Sequence, residues 1–283
     1  MIRSEQFVFL SSLLTWQQFK AIRTKHDERP YPQFVLNRFM NRFYKKNIAC
    51  SNSAYDALKS MGLSEESIVI KNGIDIGLLK DLDARQKSQR RSKIGVHSEK
   101  IMCLNIGSMH IAEAGFQKAQ DIILSAIAAG ELADKCHVVF LGGGSGSDLL
   151  RAQSARLGLE SSISFEGVVS NVMDYVSCAD IMVMPSRWEG LPIAAIEVAC
   201  SGVPMILSNI RSFGEFGAES VVKCEPGSVD SLISAMTDAF DRLSDLKREA
   251  QRLSVEYKRE FAIQNVAATH VELYKQVLLA SGE

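Results

Sequence analysis

The chain is 283 residues long, 46% hydrophobic, and carries 32 basic against 33 acidic side chains, for a formal net charge of -1. That length holds two domains or one large one with a sizeable core. The charge balance argues against a nucleic-acid partner, and no apolar run nears the ~20 residues that span a bilayer. The six cysteines are scattered without a C-x2-C pair, which fits reduced core thiols in a cytoplasm better than zinc or disulfides.

In chain order, the first elements read as short strands at 7–13 and 20–24. The apolar opening lacks a small-residue cleavage site, so it reads as a core strand and not as a signal peptide. Leu36, Phe39, Met40 and Phe43 follow the template of an amphipathic helix, with Arg38, Arg42 and Lys45 on another face. That basic face is either the solvated side of a core helix or a surface that leans on an anionic membrane. A strand at 48–51, a helix at 53–61, a strand at 68–70 and the turn Lys71-Asn72-Gly73-Ile74-Asp75 come next. Residues 79–100 are charged and broken, and read as a connection carrying an exposed helix. No aromatics interleave its cations, so it is not a nucleic-acid patch.

From residue 101 strands and helices alternate regularly, the mark of a parallel sheet covered on both faces. Strands are expected at 102–106, 137–141, 163–165, 181–184, 204–207 and 221–224. Helices are expected at 118–129, 148–157, 171–178, 193–200 and 229–243, with a helical tail at 247–278. The glycines at 142–146 follow a strand, but the last glycine of G-x-G-x-x-G and an acidic partner are missing. A turn from strand to helix explains them better than nicotinamide or flavin binding.

The rest of the chain is organised around Pro185-Ser186-Arg187-Trp188-Glu189-Gly190-Leu191-Pro192, between the strand at 181–184 and the helix at 193–200. Pro192 suits the first helical position. The amides of Ile193 and Ala194 are then free donors at the positive end of a helix, a ready anion site. Glu189 stands just before that end, and Glu197 lies ~12 Å further along a helical path. Two carboxylates bracketing an anion site suit a ligand with hydroxyls at both ends and phosphates between them.

The spacing Glu-x7-Glu after Pro-Ser, set before a Gly-Val-Pro turn, resembles the signature of glycosyltransferase family 4, retaining nucleotide-sugar enzymes of the GT-B fold. The run from the strand at 48–51 to Asn72-Gly73-Ile74-Asp75 is similar to the segment closing that family's N-terminal domain. The resemblance implies an α/β chain with a complete Rossmann-like parallel sheet at 79–258 and a truncated Rossmann-like N-terminal domain at 1–78. A tail at 259–283 would cross back onto the N-terminal domain. The resemblance further implies that Glu189 faces the donor sugar, that Glu197 holds the ribose, and that Gly190, Leu191 and Ile193 complete the donor loop. Gly107 and Lys118 would lie at the diphosphate, and Val169 would offer backbone groups to the base. His26, in Thr24-Lys25-His26, would face the cleft from the acceptor side. Catalytic roles fall to His26, Lys118 and Glu189.

Two departures stand out. Ser108 occupies the family's arginine place and removes one positive charge from the donor site. The segment 208–215 replaces a Gly-Gly-x-x-Glu turn, with Glu215 matching the acid and the glycines absent; it is given no chemistry. The implied reaction moves a sugar from a UDP- or GDP-sugar to a glycan or lipid-linked glycan. Lys118 and the helix amides meet the charge of the departing diphosphate, so no cofactor and no metal ion is expected, and no Asp-x-Asp ends a strand. The expected location is cytoplasmic, peripheral to the membrane where the acceptor is lipid-linked. Ser108 and the short front half also fit an alternative, a nucleotide-sugar-binding subunit that is inactive or depends on a second chain to supply the missing part.

Overall fold

The computed structural model describes residues 21–26, 44–63, 65–112 and 115–279. The expected strand at 7–13 and the helix built on Leu36, Phe39, Met40 and Phe43, with Arg38 and Arg42, lie outside the described residues.

A three-stranded parallel sheet comes first, in the order β1 (Ala21–Lys25), β2 (Tyr44–Ala49), β3 (Ser67–Val69). β2 begins at Tyr44 rather than at 48, because Lys45 points outward while Tyr44 and Ile48 are buried. The crossover helix α1 (Asn52–Ser60) is capped by Ser51, whose hydroxyl accepts from the Ala54 amide at 3.1 Å. α2 (Ala84–Lys93) follows behind a reciprocal Asp83–Gln86 capping box, and none of its residues is buried.

The second sheet has six parallel strands: β4 (Ile101–Ile106), β7 (Cys136–Leu141), β8 (Ile163–Gly167), β9 (Ile181–Met184), β10 (Met205–Ser208) and β11 (Val221–Cys224). A small hairpin, β5 (Ile111–Ala112) and β6 (Gly115–Phe116), stands between β4 and the next helix. The helices are α3 (Gln120–Ala129), α4 (Ser147–Arg156), α5 (Val172–Val176), α6 (Ile193–Cys200), α7 (Val229–Asp241), α8 (Leu243–Glu260) and α9 (Ile263–Leu279).

Side chains alternate across this sheet, as strands buried on both faces require. Cys103, Val138, Phe140, Ile181, Val183 and Ile206 pack with α3, α4 and α7. Met102, Leu104, Val139, Leu141, Met182 and Met184 share the opposite core with α6 and α8. The second core continues into the small sheet through Ala49, Cys50, Ala54 and Leu58, so one apolar mass joins the two sheets. α9 lies on the small sheet, where Leu273 and Val277 pack with Ile48 and Ile70. All six cysteines are buried. No helix of the described residues is long and apolar enough to cross a membrane.

Strand order decides where a ligand can sit. The sheet runs β11-β10-β9-β4-β7-β8. After β4 the chain builds outward through β7 and β8, then returns to β9 and builds the other way. The crevice between β4 and β9, at their C-terminal ends, is therefore the topological switch point. Gly107 leaves β4 there, and the stretch from Pro185 leaves β9.

Candidate functional site

At the switch point the loops after β4 and β9 are stapled together. The Arg187 amide donates to the Gln117 carbonyl at 2.9 Å, and Gln117 Nε2 donates to the Trp188 carbonyl at 3.0 Å. The Arg187 guanidinium donates to the Phe116 carbonyl and pairs with Asp121 Oδ2 at 3.1 Å. These bonds set Lys118 opposite Glu189, with Nζ 2.7 Å from Oε1 and the side chains 13% and 5% exposed. Glu189 has no second side-chain partner among the described residues.

Glycines make the approach possible. A Cβ on Gly107 would meet Lys118 Cγ at 2.9 Å, so the lysine stem lies directly over the bare backbone. Gly142, at φ 127°, sits under the Gly107 carbonyl, where an added Cβ would collide with that oxygen. Gly144 and Gly146 face the backbone of Met109, at 2.6 Å and 2.8 Å from where their Cβ atoms would stand. The glycine cluster thus serves a close approach of two loops, beyond the strand-to-helix turn expected for it.

Lys118 does not open a helix. It lies in a turn, and Ala119 takes the left-handed conformation (φ 54°) before α3 starts at Gln120. That conformation costs an alanine roughly 1–2 kcal/mol, a local strain at this position. Pro192 also differs from its expected place. It is the N-cap of α6 (φ -70°, ψ 129°), not the first helical residue. Its carbonyl accepts from Ala195 and Ile196, and the cap offers no side-chain bond. The amides of Ile193 and Ala194 therefore remain without a partner among the described residues. Helix geometry leaves those groups pointing beyond the N-terminus with partial positive charge.

The neighbouring positions fall as follows. Gly190 and Leu191 are buried, and the Leu191 carbonyl accepts from Asn72 Nδ2 at 2.6 Å. Ile193 is exposed at the mouth. Glu197 lies one turn along α6 from Ile193, half-buried and with no side-chain bond among the described residues; burial raises its carboxyl above the usual range. Ser108 is exposed, and its carbonyl accepts from Gln120 Nε2 at 3.2 Å. Val169 is half-buried after β8, two strands from the crevice. His26 is exposed just past β1, and among the described residues no hydrogen bond or ion pair ties its ring to the Lys118–Glu189 pair. The structure therefore brings Gly107, Lys118 and Glu189 into contact, with Gly190, Leu191, Ile193 and Glu197 contiguous along one loop and helix. Among the described residues no hydrogen bond or ion pair links His26 or Val169 to that contact.

Arg187, Gln117 and Asp121, which hold the pair in place, carry no local sequence signal; their partners lie far along the chain. A cavity of about 900 Å³ lies elsewhere, at the N-terminal edge of the sheet, lined by Lys80, Lys87, Arg91, Asp180 and Lys247. Asp180 already pairs with Arg91 and Lys247, and Asp174 with Lys80. It contains none of the switch-point residues. Among the described residues no three His, Cys, Asp or Glu side chains converge as metal ligands.

Comparison with known proteins gives a consistent picture. A family model described as "Glycosyl transferases group 1" matches residues 101–242. D-inositol 3-phosphate glycosyltransferase 2 of Catenulispora acidiphila is 26% identical over 224 residues, 73% of this chain and 50% of its own length. The Escherichia coli UDP-Gal:alpha-D-GlcNAc-diphosphoundecaprenol alpha-1,3-galactosyltransferase is 27% identical over 188 residues, 61% of this chain and 45% of its own length. The chain spans about half the length of these curated relatives. The crystal structure of Anabaena HepE in complex with UDP and glucose superposes with a TM-score of 0.83 at 18% identity, covering 97% of this chain and 76% of that one.

Proposed function

The chain belongs to the group 1 glycosyl transferase family, and from that premise we propose that it transfers a sugar from a nucleotide-sugar donor to a glycan or lipid-linked glycan. One observation carries the reading: the Lys118–Glu189 pair at the switch point, beside the two free amides that open α6. A diphosphate entering the crevice meets those amides and competes with Glu189 for the lysine. Glu189 is then released toward the sugar next to the phosphate. Glu197, one turn along α6, faces the ribose.

Bond breaking in such a donor leaves charge on the diphosphate while the sugar approaches an oxocarbenium ion. Lys118 and the amides of Ile193 and Ala194 meet that charge with donors already in place. No step in this scheme calls on a cofactor or a metal ion, and the donor's configuration is retained in the product. His26 acts from the acceptor side. A lipid-linked acceptor, of the kind named for the Escherichia coli relative, would bring the chain to the cytoplasmic face of a membrane.

The test is transfer of labelled sugar from UDP- and GDP-sugars to a diphosphoundecaprenol-linked acceptor, for the wild type and Glu189→Gln. Activity lost in the variant supports the reading; equal activity in both refutes it. Ser108 favours a second reading, a nucleotide-sugar-binding subunit that needs a partner chain. Nucleotide binding without transfer, restored by a partner, would select it.

A further inference from the structure

Glu215 ends the 3-10 turn Arg211–Glu215, in the segment that follows the large sheet's β10. Its described side-chain partners lie in α1 and in the turn after β3, the elements packed with the small sheet. Oε1 accepts the Asn52 amide at 2.8 Å, and Oε2 accepts Asn52 Nδ2 at 3.2 Å. Oε2 also pairs with Lys71 Nζ at 2.5 Å, and the carboxylate is only 5% exposed. Asn52 is the first residue of α1, so its amide is one of the donors a helix start leaves unpaired, and a carboxylate there also meets the helix dipole.

The held segment leads straight to the donor loop. Lys71 pairs again with Glu260 at 2.6 Å, and Asn72 beside it bonds the Leu191 carbonyl at 2.6 Å. Gly73 lies against α9, where an added Cβ would meet Val266 Cγ2 at 2.9 Å. The Ile74 amide donates to the Phe261 carbonyl at 2.8 Å. A path of direct contacts thus runs from Glu215 through Lys71 and Asn72 to Leu191, two residues past Glu189.

We propose that Glu215 is a positioning residue: it latches α1 and the Lys71–Asn72 turn of the small sheet against the large sheet, and so holds the donor loop that carries Glu189. Burial alone would lower the pKa of the Lys71 ammonium, but its hydrogen bonds to Glu215 and Glu260 outweigh that and raise it. The latch itself is independent of the transfer reading; its effect on nucleotide binding rests on it.

The experiment compares the full chain with Glu215→Gln, Glu215→Asp and Glu215→Ala by hydrogen–deuterium exchange and by calorimetric titration with UDP and GDP. In the Gln and Ala variants exchange is expected to quicken at least tenfold at Asn52 and at 71–74. It should also quicken at 189–194, and affinity for the nucleotide that binds should fall three- to tenfold. Asp, which keeps the charge on a shorter stem, should restore part of each effect. Unchanged exchange at Asn52 and 71–74 overturns the latch. Faster exchange there with 189–194 unmoved leaves only a structural bond and overturns the positioning role. A wild type that binds neither nucleotide refutes the donor-site reading, and the exchange data still decide the latch.

Discussion

Replacing Lys118 by methionine keeps the stem over Gly107 and removes the charge that faces Glu189. At 2.7 Å and an effective dielectric near 20, the gross attraction of the pair is ~6 kcal/mol. Most of that offsets the desolvation of two side chains that are 13% and 5% exposed. What the substitution leaves behind matters more: a buried carboxylate without a described partner, a situation that costs about 3–5 kcal/mol. Because the site opens toward solvent at Ile193, the lower end applies, and Lys118→Met should lose about 3 kcal/mol. Glu189→Gln alone should cost less, since Lys118 can turn its ammonium to water. In the double variant the stranded charge is gone, so the pair should show a coupling of at least about 1.5 kcal/mol. Urea unfolding of the four proteins measures it. Effects that add within about 0.5 kcal/mol would show that the two side chains do not depend on each other, and the site as built here would be wrong.

Other consequences follow from the same geometry. Glu197→Ala should weaken nucleotide binding about 10- to 150-fold, the equivalent of a hydrogen bond to a charged group of about 1.5–3 kcal/mol; calorimetry with UDP and GDP reads it. Burial raises the folded-state carboxyl of Glu197, so its ionisation works against folding as pH rises from about the unfolded value through the folded one. Glu197→Gln should therefore unfold in urea at or above the wild-type midpoint at pH 7, though its nucleotide affinity falls. Asp180 shows the opposite sign. Burial alone would raise it, but the Lys247 hydrogen bond and the Arg91 charge outweigh that and hold it below 3.8. Its stabilisation is present above the unfolded value and is lost as pH falls through the lower folded value. Asp180→Asn should therefore cost about 1.5–3 kcal/mol at pH 7 and flatten the stability decline below pH ~4 in acid titrations followed by circular dichroism. Gly142→Ala forces a Cβ onto the Gly107 carbonyl at positive φ; thermal unfolding should show a loss of several kcal/mol, and none would refute the close approach of the two loops.

How much of this could be read from the residues depends on the kind of contact. β9, α6 and β11 fell at the residues expected of them, because buried parallel strands are short apolar runs and glycines or prolines punctuate their ends. β2 was legible only in its second half, since Lys45 and Lys46 make the first half of this central strand polar. Lys118 was expected inside a helix because nothing in an alanine announces a left-handed conformation; a glycine at 119 would have. Pro192 is compatible with two neighbouring cap positions, and only the backbone angles separate them. The loop Glu189 to Glu197 was visible because its parts are contiguous. The staple through Arg187 and Asp121 and the latch through Glu215 join segments far apart in the chain, and single residues of common types carry no trace of such pairings. The cluster at Gly142 was visible as glycine but not as the seat of the Gly107 loop.

The most direct test of the central claim is a crystal structure, or failing that a titration, of the chain with UDP and GDP. One of them should bind with its diphosphate on the amides of Ile193 and Ala194, Lys118 turned from Glu189 toward it, and the ribose at Glu197. A nucleotide bound away from the β4–β9 crevice, or no binding of either at millimolar concentration, would contradict it.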